Sequence, residues 1–418
     1  MMTGREGTAT KGRPMPTVVL LGTLDTKGHE YAFVRDRVRA AGADVWLVDV
    51  GVHEPDGIEP DVTRQEVAAA AGEDVAALAA AGDRGAAVDA MGRGAEALLV
   101  RLHGEGRVGA VLALGGSGGS SIAARAMRAL PIGVPKLLVS TVASGDTRPY
   151  VGASDIAMLY SVTDIAGINR VSARVLANAA AAAAAMAGVG DIELGAERAL
   201  VGATMFGVTT PAVTAARERL EADGYEVLVF HATGTGGRSM EGLIRDGFLA
   251  GVLDLTTTEL ADELVGGVLS AGPDRLEIAG ELGVPQVVSL GALDMVNFGP
   301  QDSVPERFAG RNLYVHNSTV TLMRTTAEEC RELGVTIARK LSAAKGPTAL
   351  FVPLRGLSAI DVEGGPFHDP EADAALFAAL REGLAEHVEL VELDTDVNDP
   401  AFAHAMVERL EAMMRGSD

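Results

Sequence analysis

The sequence predicts an α/β protein of two Rossmann-like domains, each with a mainly parallel sheet flanked by helices. Three observations support this fold class. Short apolar and β-branched runs alternate with helical patterns along the chain. Glycine- and threonine-rich turns directly follow many of these runs, which is where α/β folds carry their ligand loops. The pattern of the first half then returns in the second half, which indicates two domains of related topology.

The first βαβ unit is clear at the start of the chain. Residues 17–21 form a continuous apolar run, typical of a strand buried on both faces. After the loop at 22–28, apolar residues at a spacing of three to four predict a helix that ends at Gly42. Residues 45–50 are the next strand. Strand, helix and strand in this order predict parallel pairing.

The rest of the first half continues this alternation. A strand at 108–114 leads into a glycine-rich turn at 115–120 and a helix at 121–130. A further strand is predicted at 136–139, and a long helix from about 169 to 187 closes the half.

The second half repeats the scheme. Residues 35–45 and 217–227 agree in pattern, glycine for glycine. We interpret this as a duplication, although any two βαβ units of this fold share such a pattern. Strands are predicted at 199–204, 226–230, 312–315, 349–352 and 388–393.

These patterns define the domain organisation. A chain of 418 residues is too long for a single core. We predict a loose tail over residues 1–16, a nucleotide-binding domain over 17–190 and a second Rossmann-like domain over 191–418.

Composition limits the classes of function. The net charge of −22 disfavours contact with nucleic-acid backbones. Cys330 is the only cysteine, so no intrachain disulfide can form, and we interpret it as structural. The alanine-rich stretch 177–189 is too short to span a bilayer. We therefore expect a cytoplasmic protein that binds neither nucleic acid nor membranes.

The strongest candidate ligand loop is the glycine-rich turn at 115–120. It follows an apolar strand and opens a helix, so its amides and the helix dipole favour an anion. It is not a Walker A loop, and Ser121 stands where a dinucleotide fingerprint has its third glycine. A plain tight turn is the alternative interpretation.

Two more loops are expected at the same sheet edge. In the loop at 22–28, Lys27 suits a phosphate and Asp25 suits Mg²⁺ or a ribose hydroxyl. The alternative is a solvated surface loop. In the third loop, at 140–146 and just beyond it, Arg148 suits a phosphate and Tyr150 a base, unless Arg148 simply pairs with an acid.

We predict that these three loops bind the nucleotide. The predicted cofactor-binding residues are Gly22, Thr23, Asp25, Thr26, Lys27, Gly28, Gly115, Gly116, Ser117, Gly118, Gly119, Ser120, Ser140, Thr141, Ser144, Gly145 and Asp146.

The second domain supplies the candidate catalytic and substrate-binding groups. His231 directly follows a strand and is the best general acid/base candidate, beside Glu259 and Asp294, with His368 in a later glycine-rich loop. A lone histidine is also a common structural residue. The predicted substrate-binding residues are Thr233, Gly236, Arg238, Thr256, Thr257, Thr258, Arg355, Ser358 and Asp361.

Several of these segments resemble a largely uncharacterised family of ATP-binding proteins, which includes the N-terminal region of the tomato mosaic virus resistance protein. The resemblance implies ATP binding in the first domain and self-association as a dimer. One departure is Asp396, where the family is expected to have a histidine. The segments that carry the resemblance are 22–28, 114–120, 139–146, 229–238, 254–260, 291–299 and 364–368.

Three functions follow as hypotheses. The first is an enzyme that holds ATP, with or without Mg²⁺, and acts on a small polar or anionic metabolite, with phosphoryl transfer as the reaction class. The second is a nucleotide-binding regulatory or interaction module without turnover. The third is a dinucleotide-dependent oxidoreductase, in which Asp49 binds a ribose. The metal content is open, and the absence of a Cys/His cluster disfavours zinc.

Overall fold

The computed structural model describes residues 17–189 and 198–416. The tail predicted at 1–16 and the boundary predicted between 190 and 191 lie outside these residues. The chain divides into two compact units, Met1–Glu193 and Leu194–Asp418, which we call the N-terminal and C-terminal units. The α/β class with parallel sheets flanked by helices is confirmed.

The N-terminal unit is built on one parallel sheet. Its strands are β1 (Thr17–Gly22), β2 (Asp44–Asp49), β3 (Ala110–Gly115), β4 (Lys136–Ser140) and β5 (Ala157–Tyr160). Its helices are α1 (Leu24–Ala40), α2 (Arg64–Ala70), α3 (Val75–Ala81), α4 (Arg84–Gly104), α5 (Ser117–Arg128), α6 (Arg148–Val151) and α7 (Ser172–Ala187). The strand order is β2-β1-β3-β4-β5, and all neighbours are parallel.

Alternate residues of the central strands face two separate cores. In β1, Val19 and Leu21 pack with α2, α4 and α5, whereas Val18 and Leu20 pack with α1 and α7. The period of two in side-chain direction therefore explains why the whole strand is apolar.

This strand order has one switch point, between β1 and β3. The helix after β1 covers one face of the sheet and the helix after β3 covers the other. The loops that leave the two strands therefore diverge and open a crevice at their carboxyl ends, which is where doubly wound sheets bind ligands.

The C-terminal unit contains two sheets. Its strands are β6 (Leu200–Met205), β7 (Glu226–His231), β8 (Leu249–Thr256), β9 (Gln286–Gly291), β10 (Met295–Phe298), β11 (Leu313–Asn317), β12 (Val320–Arg324), β13 (Thr348–Pro353) and β14 (Glu389–Leu393). Its helices are α8 (Thr210–Ala222), α9 (Thr235–Arg245), α10 (Glu259–Val265), α11 (Ile278–Leu282), α12 (Ala327–Ser342), α13 (Pro370–Gly383) and α14 (Pro400–Arg415).

The main sheet of this unit is parallel with the order β14-β13-β9-β8-β6-β7. If the strands of this sheet are numbered in chain order within the unit, their order is that of the N-terminal sheet. One strand, β14, is added next to β13. A small antiparallel sheet, β10-β12-β11, was not predicted, apart from a strand near β11. Its strands are only four or five residues long, so their periodicity is weak.

Over residues 17–189 and 198–416, no helix combines the length and apolarity that crossing a bilayer requires.

We predict that a methyl group added at Gly94 destabilises the N-terminal unit. A Cβ at Gly94 would lie 2.0 Å from the Val67 carbonyl oxygen, because α4 packs closely on α2 there. Gly94→Ala should therefore lower the free energy of unfolding by about 1–3 kcal/mol. Urea unfolding followed by circular dichroism measures this.

Gly104→Ala is the matched control on the same helix, since nothing lies within 4 Å of its Cβ position. It should change stability by less than about 1 kcal/mol. Equal losses in both variants would contradict the close packing of α4 on α2.

Candidate nucleotide site

A cavity of about 720 Å³ opens at the carboxyl edge of the N-terminal sheet. Its walls come from the loops after β1, β2, β3 and β4, together with α3, α4 and the start of α5. The cavity therefore lies at the switch point between β1 and β3. Its volume is within the range of small-molecule sites.

The glycine-rich turn presents free amides to this cavity. The N-cap residue of α5, Gly116, gives no side-chain cap, and the first intrahelical bond runs from Ser120 to its carbonyl. The amides of Ser117, Gly118 and Gly119 have no acceptor among the described residues, and all three residues line the cavity. Unpaired amides at a helix start attract an anion.

The glycines of this turn have different roles. A Cβ at Gly115 would lie 3.0 Å from the Gly119 Cα, so Gly115 lets the turn fold back on itself. A Cβ at Gly118 would meet only Arg84 and Val88, at 3.5 and 3.7 Å. Gly118 is thus not required by packing, but it keeps the backbone accessible.

Tyr31 holds β1 and β3 apart at the crevice, a role that the sequence did not indicate. Its hydroxyl donates to the Leu21 carbonyl at 2.6 Å and accepts from the Leu114 amide at 2.7 Å. Direct pairing of the strands ends at Leu21 and Ala113. The ring occupies the space of a Gly22 side chain, and burial raises the pKa of Tyr31.

Two carboxylates organise the loops after β1 and β2. Asp49 is fully buried, and its Oδ1 accepts from the amides of Leu24 and Gly51 at 3.2 and 2.9 Å. Asp25 lines the cavity, and its Oδ2 accepts from Val52 and His53, both at 3.2 Å. The buried oxygens Asp25 Oδ1 and Asp49 Oδ2 have no partner among the described residues.

The burial of Asp49 bears on the oxidoreductase hypothesis. Burial raises its pKa, and the residue does not line the cavity. The carboxylate of Asp49 fixes the neighbouring backbone through Oδ1, and its ribose-binding role stays a prediction.

Two cations border the cavity. Lys27 donates from Nζ to the Ile165 carbonyl at 2.6 Å, which leaves two of its three N–H groups for other acceptors. Arg84 is exposed on the first turn of α4 and forms no ion pair with any residue that the structure describes. Sequence reasoning missed Arg84 because it begins an alanine-rich helix more than 30 positions before the glycine-rich turn.

The predicted cofactor residues fall into three groups. Those that line the cavity are Thr23, Asp25, Thr26, Lys27, Gly116, Ser117, Gly118, Gly119 and Thr141. Those that support the loops without lining it are Gly22, Gly28, Gly115, Ser120 and Ser140. Those that lie away from its lining are Ser144, Gly145 and Asp146.

In the C-terminal unit, Glu259 has a structural role. It is fully buried, and its Oε1 accepts from the amides of Gly234 and Gly237 at 2.7 and 3.1 Å. Its Oε2 pairs with Arg275 at 2.7 Å. Arg275 is also buried, and it forms a bidentate ion pair in which Nη1 and Nη2 donate to the carboxylate of Asp254. Glu259 therefore anchors the start of α9 through a satisfied ion network.

The three predicted substrate-binding threonines are also fully buried. Thr256 shares a hydroxyl–hydroxyl hydrogen bond with Thr209 at 2.7 Å, and Thr257 donates to the Ser289 carbonyl at 2.9 Å. The Thr258 hydroxyl accepts from the side-chain amide of Asn297 at 3.2 Å. Their hydroxyls hold neighbouring strands and loops together instead of facing a ligand.

Three buried aspartates share one arginine in this unit. Arg324 donates to Asp361 at 3.2 Å and to Asp373 at 2.6 Å. Ser358 donates to Asp294 at 2.8 Å. Burial raises the pKa of Asp361 to about 9 and that of Asp294 to about 6. We call these five residues the aspartate cluster, and it retains protons near neutral pH.

The remaining predicted residues are exposed or tied to the backbone. His231 and His368 are exposed, and the His231 ring packs edge-on against Phe206 with centroids 5.4 Å apart. Arg355 forms an exposed pair with Asp394 at 2.6 Å. No described hydrogen bond joins either histidine side chain to Glu259 or Asp294.

Four further residues named in the sequence analysis make local contacts. Thr233 donates to the His231 carbonyl at 3.2 Å, and Arg238 donates to the Ala271 carbonyl at 2.9 Å. A Cβ at Gly236 would lie 1.9 Å from the His231 carbonyl oxygen. Asp396 accepts from the Asn398 amide at 2.8 Å.

Fold and cavity together define a two-domain α/β protein with an open crevice at the switch point of its N-terminal sheet. The chain belongs to an uncharacterised protein family (UPF0261). The N-terminal domain of that family matches residues 16–191, and its C-terminal domain matches residues 198–414.

Relatives occur in bacteria and plants. A UPF0261 protein of Clostridium tetani is 54% identical over 95% of this chain and 98% of that one. The RA0729 protein of Rhizobium meliloti is 50% identical over 94% and 98%. The ToMV resistance protein Tm-1(GCR237) of Solanum lycopersicum is 41% identical over 96% of this chain but only 56% of its own length.

One similar solved structure is a C2-type ketoreductase from a modular polyketide synthase. It is 17% identical over 90% of this chain and 80% of that one, with a TM-score of 0.21. That value is too low to support an argument about fold or function.

We predict that the aspartate cluster makes stability fall as pH rises. The raised pKa of Asp361 means that the folded state holds a proton which the unfolded chain releases near pH 4. The contribution of this bound proton to the free energy of unfolding is complete below that pH, and it is lost as pH rises towards 9. Asp361→Asn mimics the protonated acid and should flatten the decrease of Tm between pH 5 and 9, measured by calorimetry.

Asp394→Asn is the control. Its pairing with Arg355 lowers the pKa of Asp394, so that carboxylate stays ionised in both states across this range. The Tm of Asp394→Asn should decrease with pH as steeply as that of the natural protein. An unchanged slope in Asp361→Asn would exclude proton retention by the aspartate cluster.

Proposed function

We propose that the N-terminal unit binds a nucleoside triphosphate, ATP, in the 720 Å³ cavity. The observation that carries the proposal is that three unpaired amides, at residues 117–119, and the cations Lys27 and Arg84 line the same cavity. In a chain of net charge −22, such a concentration of donors favours a polyphosphate.

Other residues of the cavity lining suit the rest of a nucleotide. They are apolar side chains of α3, α4 and α5: Leu78, Ala79, Ala87, Val88, Met91 and Ile122. A base packed there would bury its faces against aliphatic groups, while the phosphates extend towards the glycine-rich turn.

Asp25 provides a place for Mg²⁺. Its Oδ1 is buried without a partner, and carboxylate oxygens are the ligands that Mg²⁺ takes together with substrate phosphates. When bound, the ion would neutralise phosphate charge. Among the described residues no group of three or more His, Cys, Asp or Glu side chains forms a metal site, so the remaining ligands would come from phosphate and water.

The reaction class that fits bound ATP is phosphoryl transfer to a small polar or anionic metabolite. The alternative is a regulatory or interaction module in which ATP stabilises one conformation. The burial of Glu259 and of residues 256–258 favours the module, because these groups are engaged in packing. The virus resistance in the tomato relative's name is not extended to this chain.

A cytoplasmic homodimer completes the proposal. The buried thiol of Cys330 suits a reducing compartment, and burial raises its pKa to about 11. Exposed apolar side chains at Tyr160, Val162 and Val171 of the N-terminal unit offer surface for self-association. Light scattering by the purified chain tests the dimer, which a monomeric mass would exclude.

We predict that Gly118→Asp abolishes ATP binding without harming the fold. An aspartate in the first turn of a helix is favourable to the helix dipole, but it repels a phosphate at the same amides. Isothermal titration with Mg²⁺-ATP should show at least a tenfold loss of affinity. Gly242→Asp, on α9 with nothing within 4 Å of its Cβ, should bind ATP normally.

Arg84→Gln provides an independent test of the same cavity. Loss of a charge-assisted bond should weaken ATP binding about tenfold. Arg101→Gln removes the same charge from an exposed position of α4 and should not change affinity. Equal ATP affinity in all four variants and the natural protein would overturn the proposed site.

Turnover separates the enzyme from the module. We expect saturating Mg²⁺-ATP to raise the Tm of the natural chain, because a ligand that binds only the folded state stabilises it. Release of phosphate from ATP in the presence of a pool of metabolites would support the enzyme. A raised Tm with no ATP consumed would support the module.

A further inference from the structure

A second cavity, of about 360 Å³, lies beside the first in the N-terminal unit. It is lined by α4, α5 and the short α6, with Ser121, Arg125, Arg128 and Tyr150 among its residues. Val88 lines both cavities. The two cavities therefore adjoin each other between α4 and α5, and the Val88 side chain borders both.

Arg128 brings an unneutralised charge to this second cavity. Its Nη1 donates to the carbonyls of Pro149 and Tyr150 at 3.1 and 2.7 Å. It forms no ion pair with a carboxylate in the part of the chain that the structure describes. Desolvation, and then the charge of Arg125, lower the pKa of the Arg128 guanidinium. The charge of Glu96 raises that pKa to a smaller extent, and the Arg128 side chain is exposed, so its free donors can reach a ligand from solvent.

The neighbouring charges do not supply that anion. Arg125 donates to Glu96 at 2.7 Å and to Asp89 at 2.9 Å, and Asp89 also pairs with Arg93. Asp89 is the only carboxylate among the residues that line the cavity, and it already faces two guanidiniums. The lining therefore carries an excess of positive charge on a strongly acidic chain.

We propose that the second cavity binds a small anion, a metabolite that carries a carboxylate or a phosphate, with Arg128 as its principal ligand. The unused donors of the Arg128 fork suit either group. Tyr150 and Val88 add contact area, and the Ser121 hydroxyl donates to the Ser117 carbonyl at 2.8 Å. The volume of 360 Å³ suits a small metabolite.

This anion site goes beyond nucleotide binding and does not depend on it. It places a second ligand in the N-terminal unit, next to the first cavity, rather than in the C-terminal unit. An anion held there would lie across Val88 from the occupant of the first cavity. If the first cavity holds a nucleotide as proposed, this site would place the second ligand of the same unit beside it.

Titration with inorganic phosphate tests the proposal on the full chain, without ATP. We expect saturable binding in the natural protein, and because phosphate can also enter the first cavity, the variants below are compared in the Gly118→Asp background, in which binding should persist. Arg128→Gln should reduce the affinity at least tenfold. Arg101→Gln, with the same loss of charge outside both cavities, should bind phosphate normally.

A second variant guards against misfolding of Arg128→Gln, whose carbonyl contacts hold α6. Ser121→Asp places a negative charge in the cavity at an exposed position and should also abolish phosphate binding. Absence of saturable phosphate binding in the natural protein would overturn the site. So would binding that survives both substitutions and disappears in Gly118→Asp.

Discussion

The crevice of the N-terminal unit depends on one phenolic hydroxyl. Tyr31 enters between β1 and β3 where their pairing ends, and it satisfies a carbonyl of one strand and an amide of the other. The strands can therefore separate without leaving buried backbone groups unpaired, which would cost about 1–3 kcal/mol each. The requirement for Gly22 follows, since the ring occupies its side-chain space.

The two units share a strand order but differ at the carboxyl edge of the main sheet. In the N-terminal unit the carboxyl edge is open, and its free amides face a cavity. In the C-terminal unit the corresponding loops are filled by an ion network around Arg275, by buried threonines and by an apolar cluster around Phe367. Topology fixes where a ligand site is available, but side chains decide whether the space exists.

Sequence reasoning predicted the fold well because its signals are local. Buried strands read as apolar runs, and glycine-rich turns follow them, so β1, β3 and their loops were placed correctly. The candidate site was predicted only in part. Arg84 and Tyr31 reach the crevice through tertiary packing, which no spacing along the chain reveals. The ion pair of Glu259 with Arg275 was not predicted either, because an acid at a strand end looks the same in the sequence whether it reacts or anchors a helix.

The side chain of Val88 borders both cavities of the N-terminal unit. A molecule on one side that moves this side chain alters the room available on the other. Any resulting coupling must be reciprocal, since each occupant changes the affinity of the other by the same factor. A change in the size of the Val88 side chain would therefore affect both cavities.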